Sequence, residues 1–210
     1  MRRFRGLFLP LLASAAALST SSPALAWWND AWAFRKEISF DLTPAGAAIP
    51  GSAPDAPILV RLSLGNFTFW DDALPDGADL RFVAGDDKTP LKFHIERYDK
   101  QAQMAFLWVT VPRLTGGANT DKIFLYYGNK DAIAGADAAG SYDKNQALVY
   151  HFGAATSAPQ DSTAYKSEAT NFNAEVSTAS LIGAGLRFTG SQSLTIPATP
   201  TLRLAPDQGI

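Results

Sequence analysis

The sequence predicts an all-β protein, in which a β-sandwich domain is followed by the N-terminal part of a second, jelly-roll sandwich. Gly (16) and Pro (13) are spread along the chain, and the apolar residues come in short runs that turn residues interrupt. After the N-terminal segment, only residues 132–139 form a plausible short helix, and Gly135 weakens that prediction. Short strands joined by turns therefore explain the pattern best.

The first strands are predicted from alternation. In residues 34–42 apolar and charged side chains alternate, which is typical of a half-buried strand. Residues 43–57 are rich in Ala, Gly and Pro and are predicted to form a long surface loop. The period of two resumes over residues 58–64, so a second strand is expected there.

The middle of the chain predicts a hairpin and two central strands. Residues 80–83 and 91–95 flank the turn-forming stretch 85–88, as in a β-hairpin. Residues 106–111 and 123–127 are aromatic and β-branched with almost no charge, which favours strands covered on both faces.

The sequence pattern changes after residue 147. Short apolar runs (148–152, 186–188 and 194–196) are separated there by long polar stretches. This spacing is typical of a jelly roll. The predicted organisation is a signal peptide (1–26), a β-sandwich domain (27–130), a linker (131–146) and a partial second sandwich (147–210), so we expect the chain to be a fragment.

The N-terminus predicts export. Arg2, Arg3 and Arg5 form a positive region, residues 7–18 are apolar or small, and residues 24–26 form an A-x-A cleavage site. The apolar run is shorter than the ~20 residues that a membrane anchor needs. We expect a mature chain that begins at Trp27 and is periplasmic or lies on the extracellular face of a bacterial membrane.

Composition excludes several functions. The chain has no cysteine, which excludes disulfides and thiolate zinc sites. Removal of residues 1–26 lowers Lys+Arg from 18 to 15 while Asp+Glu stays at 20, so the net charge moves from −2 to −5. Because no basic face is available to bind phosphates, a nucleic-acid partner is not expected.

Catalytic motifs are absent from the sequence. It contains no G-x-S-x-G elbow, no phosphate-binding G-x-x-x-x-G-K-[ST] loop and no H-E-x-x-H pair, so we expect no enzyme activity. His94 falls on the polar side of its strand and is predicted to be a solvated residue. His151, between two aromatics, is predicted to be partly buried and hydrogen-bonded.

Carboxylates cluster at 71–79 and at 86–87. Several oxygen ligands in a loop can hold calcium, and calcium is the cofactor that the sequence suggests. The alternative is a set of solvated turns capped by Asp side chains, and it is favoured because the D-x-D-x-D-G spacing is missing.

Tryptophans are the residues most open to a ligand-binding interpretation, because flat aromatic faces stack on sugars as well as on one another. Trp108 lies in a central run and is predicted to pack in the core. Trp27, Trp28 and Trp32 lie near the mature N-terminus and are the candidate ligand-binding residues, with packing as the alternative.

Four motifs carry a resemblance to a known family. They are WWNDAWAFRK (27–36), DLRF (79–82), LWVTVP (107–112) and LYYGN (125–129). Together they resemble a domain of unknown function of exported bacterial proteins. In that family the domain often precedes a concanavalin A-like (laminin-G-like) sandwich, and the pair often lies ahead of a MotA/TolQ/ExbB proton-channel region.

The second half resembles the start of the concanavalin A-like sandwich through residues 148–152, 161–163 and 183–188. The resemblance implies biopolymer transport by a longer parent protein, with membrane attachment only through a parent chain beyond residue 210.

Two classes of function remain open. One is a non-catalytic extracytoplasmic binding or sensing module for a glycan or a cell-envelope component. The other is an accessory carbohydrate-binding domain of a polysaccharide-acting enzyme, and a structural or adhesive spacer is a third possibility.

Overall fold

The computed structural model describes residues 27–153 and 158–203, so the predicted signal peptide lies outside the described residues. The described residues form eleven strands and two short 3-10 helices, Ala139–Ser141 and Pro200–Leu202. None of the helices in these ranges is long and apolar enough to cross a membrane. The strands are β1 (Phe34–Ser39), β2 (Ala53–Ser63), β3 (Arg81–Ala84), β4 (Pro90–Leu91), β5 (Phe93–Asp99), β6 (Met104–Leu114), β7 (Lys122–Tyr127), β8 (Asn171–Phe172), β9 (Glu175–Ser177), β10 (Gly185–Arg187) and β11 (Leu194–Thr195).

Two antiparallel sheets form the sandwich. The first sheet has the strand order β1-β7-β3-β4, and the second has the order β2-β6-β5. One apolar core lies between them, and alternate residues of each strand enter it, as the pleat requires. The buried side chains at its centre are Phe67, Trp70, Phe82, Phe93, Leu107, Val109, Ile123 and Leu125. The predicted all-β sandwich is confirmed.

The two predicted central strands are confirmed as β6 and β7. Each lies between two partners in its sheet, and all five residues of β7 from Ile123 to Tyr127 are buried. The outer face of β7 is covered as well, because Phe124 and Tyr126 pack against Trp32 and Val83. This double coverage explains why the run carries almost no charge.

The predicted hairpin is confirmed as β3 and β4, which pair through Phe82–Leu91 and Val83–Pro90. The run 91–95 does not form one strand, however. Leu91 pairs in the first sheet, whereas Phe93 pairs with Val109 in the second. The chain therefore crosses between the layers at Lys92.

The predicted loop 43–57 is too long, because β2 begins at Ala53. This strand starts with a stretch that contains Pro54 and Pro57, which argued against a strand in the sequence. β2 lies at the edge of its sheet, where a residue without an N–H is tolerated.

The segment after β7 packs against the outer side of the second sheet. The backbone N–H of Asp137 donates to the carbonyl of Phe93 at 2.8 Å, and Thr110 Oγ1 donates to the carbonyl of Ser141 at 2.6 Å. Ser141 and Tyr142 are buried in this contact. The linker assignment of 131–146 stays a prediction.

The C-terminal part contains two small ribbons, β8 with β11 and β9 with β10. Asp161 organises the loop before them: its buried carboxylate accepts hydrogen bonds from the backbone N–H groups of Val149, Thr163 and Ser167. The predicted short strands near 186 and 194 are confirmed as β10 and β11. Their assignment to a concanavalin A-like sandwich stays a prediction.

Candidate binding surfaces

Trp32, one of the three candidate ligand-binding tryptophans, is buried in the protein. Its side chain is buried against Val83 and Phe124, and its indole Nε1–H donates to the carbonyl of Asp79 at 2.6 Å. The donor is therefore satisfied inside the protein, which is the usual state of a buried tryptophan.

Trp27 and Trp28 remain accessible. Trp27 is 39 % exposed and Trp28 is half-buried. Both rings lie edge-on to the ring of Tyr126, each with a centroid separation of 5.7 Å, and Trp28 also contacts Trp32 at 5.0 Å. The backbone N–H of Trp28 donates to Tyr126 Oη at 3.1 Å, which holds this part of the chain on the outer face of the first sheet.

An ion pair between Arg35 and Asp87 lies next to the Trp27 ring. Arg35 on β1 pairs with the buried carboxylate of Asp87, and Tyr126 Oη donates to the same carboxylate at 2.5 Å. The Arg35 guanidinium lies 5.3 Å from the ring centre of Trp27 and 4.9 Å from that of Phe124. The surface thus presents two indoles beside the Arg35–Asp87 ion pair.

The carboxylates of the two predicted clusters have different structural roles. Asp79 is fully buried, and its two oxygens accept from the N–H groups of Leu74 and Gly128 at 2.9 and 2.6 Å. Asp86 accepts from the N–H groups of Lys88 and Thr89, which is the Asp-capped turn expected as the alternative to calcium. Within residues 27–153 and 158–203, no three acidic or histidine side chains are arranged to hold a metal ion.

Both histidines lie together, on the outer face of the second sheet. The prediction for His151 is confirmed: its side chain is 15 % exposed, and its Nδ1 lies 3.1 Å from Glu96 Oε2. The prediction for His94 is wrong. His94 is half-buried, because Tyr142 and His151 cover it, and its ring centre lies 4.9 Å from that of His151.

Strand geometry places Glu96 in this group. His94 pairs directly with Trp108 on β6, and the ladder shifts register between Ile95 and Arg97, so that Glu96 is the extra residue of a β-bulge. Its Oε2 accepts a hydrogen bond from the Trp108 indole Nε1–H at 2.7 Å. Trp108 thus lies on the outer face, not in the core where the sequence predicted it.

Tyr142 links the two histidines. Its hydroxyl lies 2.9 Å from His151 Nε2 and 3.1 Å from His94 Nδ1, and all five side chains form one connected polar group. We call Glu96, His94, His151, Tyr142 and Trp108 the histidine cluster. Sequence reasoning missed it because its members come from segments about fifty residues apart, although the period of two in β5 does place His94 and Glu96 on one face.

The surroundings determine the charge of Glu96 and of His94. Burial by itself raises the pKa of Glu96, but the hydrogen bonds from His151 and Trp108 outweigh it and hold the pKa below the ordinary value, so Glu96 is ionised at neutral pH. Burial and the neighbouring His151 lower the pKa of His94 to about 4, so His94 is neutral there. Burial raises the pKa of the Tyr142 hydroxyl.

The described residues form an all-β sandwich, with the aromatic group of Trp27 and Trp28 on one sheet and the histidine cluster on the other. Residues 76–168 are similar to a family described as a domain of unknown function, DUF2341. The matched residues include β3 to β7, the segment that packs on the second sheet and the Asp161 loop. No curated protein and no solved structure matches the chain. The predicted resemblance to a domain of unknown function is confirmed over residues 76–168, whereas the motif at 27–36 lies outside the match.

Proposed function

We propose that the chain is an exported, non-catalytic binding module that recognises a glycan or cell-envelope component through Trp27 and Trp28. The observation that carries this proposal is the pair of neighbouring, accessible indoles on a rigid base of Tyr126, Arg35 and Asp87. Trp32 contributes by supporting Trp28 rather than by contact with the ligand.

The chemistry of the surface suits a sugar. The apolar faces of a pyranose ring can stack on an exposed indole, and the adjacent guanidinium can donate hydrogen bonds to ring hydroxyls or to an acidic substituent. Because the indoles are held before the ligand arrives, little side-chain entropy is lost on binding.

Export is part of the same proposal. The charged, apolar and A-x-A regions of residues 1–26 support cleavage before Trp27, which would place both indoles at the free N-terminus of the mature chain. N-terminal sequencing of exported protein should begin at Trp27, and a secreted chain that retains residues 1–26 would contradict this step. In a longer parent, the module would serve a MotA/TolQ/ExbB-type proton channel in biopolymer transport.

Affinity electrophoresis through gels that contain soluble cell-wall glycans tests the proposal. The mature chain should be retarded, and Trp27→Ala and Trp28→Ala should each weaken binding about tenfold, as expected when a stacking contact is lost. Phe188→Ala is the matched control, because Phe188 is a 51 % exposed aromatic elsewhere in the chain. Equal retardation of all three variants would overturn the assignment of the surface.

A further inference from the structure

The sandwich has an open side, where the edge strands of the two sheets face each other. Among the described residues, β1 pairs only with β7 and β2 pairs only with β6. A groove of about 370 Å³ runs between β1 and β2. Its floor is apolar, because Ile38 and Phe40 of β1 meet Ile58 and Val60 of β2 there, and all four pack against the core.

The backbone of β1 presents unpaired hydrogen-bonding groups on this side. In the antiparallel ladder with β7, the N–H of Phe40 donates to the carbonyl of Asp121 at 2.9 Å. Because the direction of the backbone groups alternates along a strand, the N–H and C=O groups of Arg35, Glu37 and Ser39 point away from β7. Nothing in the described part of the chain bonds to them. This edge is therefore free to pair with another strand.

The facing edge of β2 is partly occupied. The side-chain amide of Asn66 donates to the carbonyl of Arg61 at 2.8 Å and accepts from the N–H of Ser63 at 2.9 Å. Further along the same edge, Pro57 has no N–H to offer. An added strand would therefore pair with β1 and not with β2.

The groove also carries an excess of positive charge. Lys36, which is half-buried and shares its face of β1 with Ile38, lines the groove together with Arg61. Neither cation forms an ion pair within residues 27–153 and 158–203. The carboxylate that lines the groove, Glu37, is neutralised by Lys122 at 2.8 Å. A lysine on the inner face of an edge strand disfavours a purely apolar partner, whereas a carboxylate on the partner would pair with it.

We infer that β1 accepts an additional antiparallel strand from an acidic, extended peptide segment. The backbone of this segment would pair with Glu37 and Ser39, as in other cases of strand addition to a sheet edge. Apolar side chains at alternate positions would cover Ile38 and Phe40, and a carboxylate would lie opposite Lys36. The added strand would close the open side of the sandwich.

Titration of the mature chain with the peptide acetyl-TVTVTET-amide, followed by NMR, tests the inference. In the antiparallel register its two valines lie opposite Ile38 and Phe40, and its glutamate lies opposite Lys36. The amide resonances of Glu37 and Ser39 should shift saturably, because both N–H groups gain an acceptor. The peptide with lysine in place of glutamate should bind about fivefold more weakly. Absence of a saturable shift, or equal affinity of the two peptides, would overturn the inference.

N-methylated peptides separate strand pairing from side-chain contact. Methyl groups on the backbone nitrogens of the third and fifth peptide residues remove the N–H groups that face β1, and binding should be lost. Methyl groups on the second and fourth residues lie on the far edge of the added strand, so binding should persist. Equal binding of the two methylated peptides would contradict backbone pairing.

Reversal of the groove charge provides a test that does not depend on loss of binding. In Lys36→Glu the lysine-containing peptide should bind more tightly than the glutamate-containing one. Lys144→Glu is the matched control, because Lys144 is an exposed lysine of the segment on the outer side of the second sheet, and the original preference should remain. An unchanged preference in Lys36→Glu would contradict the position of the acidic side chain.

A second copy of the chain is the other strand that could occupy the edge. If it did, the amide resonances of Glu37 and Ser39 would shift with protein concentration in the absence of peptide, and this result would overturn the inference. Trp27→Ala should bind the peptide normally, because Trp27 does not line the groove. The peptide groove and the proposed glycan surface can therefore fail independently.

Discussion

Asp79 belongs to a loop cluster that the sequence predicted to be solvated, but it is fully buried and serves structure. Its carbonyl accepts from Trp32, and its two carboxylate oxygens accept from Leu74 and Gly128. These bonds join the segment before β1, the loop before β3 and the end of β7. The DLRF motif that contains Asp79 is therefore explained by packing.

Replacement of Asp79 by Ala should destabilise the fold by about 2 kcal/mol, because two partly buried backbone N–H groups would lose their acceptor. Urea denaturation measures this loss. Asp71→Ala is the matched control: Asp71 belongs to the same acidic cluster but is exposed, and its replacement should change stability by less than about 0.5 kcal/mol. Equal effects of the two substitutions would contradict the structural role of Asp79.

The tryptophans illustrate what residue types alone can predict. Their aromatic rings indicated either burial in the core or exposure for stacking on a ligand. Both environments occur, because Trp32 is buried and Trp27 is exposed. The division between them depends on Asp79, which is 47 residues from Trp32 in the chain. No local pattern contains that information.

At the scale of elements, the strands that could be predicted are those with a strong local signal. β6, β7 and the β3–β4 hairpin followed from runs and turn residues. The start of β2 was missed because its prolines are compatible with a strand only at a sheet edge, and edge position is a property of the whole sheet. The bulge at Glu96 was missed for a similar reason, since it depends on the partner strand.

Contact between β5 and the segment 141–152 should depend on pH through His94. The unfolded chain takes up a proton at His94 near pH 6.5, whereas the folded chain does so only near 4. Between these values the unfolded state binds more protons, so stability decreases as the pH falls from about 6.5 to about 4. Lys166 and His151 oppose the proton on His94, and Glu96 favours it.

Amide exchange measures this effect directly. Amides of residues 141–152 should exchange faster at pH 4.5 than at pH 7 after correction for the intrinsic rate, while those of β7 should not. In His94→Gln, which has no titrating ring, the difference should shrink. An unchanged difference in that variant would show that another group controls the contact.

At the scale of the whole molecule, the residues that match the family form one continuous packed unit. Residues 76–168 extend from the loop before β3 through the segment on the second sheet to the end of the Asp161 loop. Buried contacts at Ser141 and Tyr142 join that segment to β5 and β6. The aromatic group of Trp27 and Trp28 and the histidine cluster therefore lie on opposite layers of one sandwich core.

We propose that this chain binds a glycan or cell-envelope component and leaves it chemically intact. The direct test is to incubate the mature chain with a panel of cell-wall glycan oligomers, isolate the bound fraction and measure the oligomer masses by mass spectrometry. We expect at least one oligomer to be retained with unchanged mass, and retention to be lost in Trp27→Ala. Shortened or modified oligomers, or no retention of any oligomer, would contradict the claim.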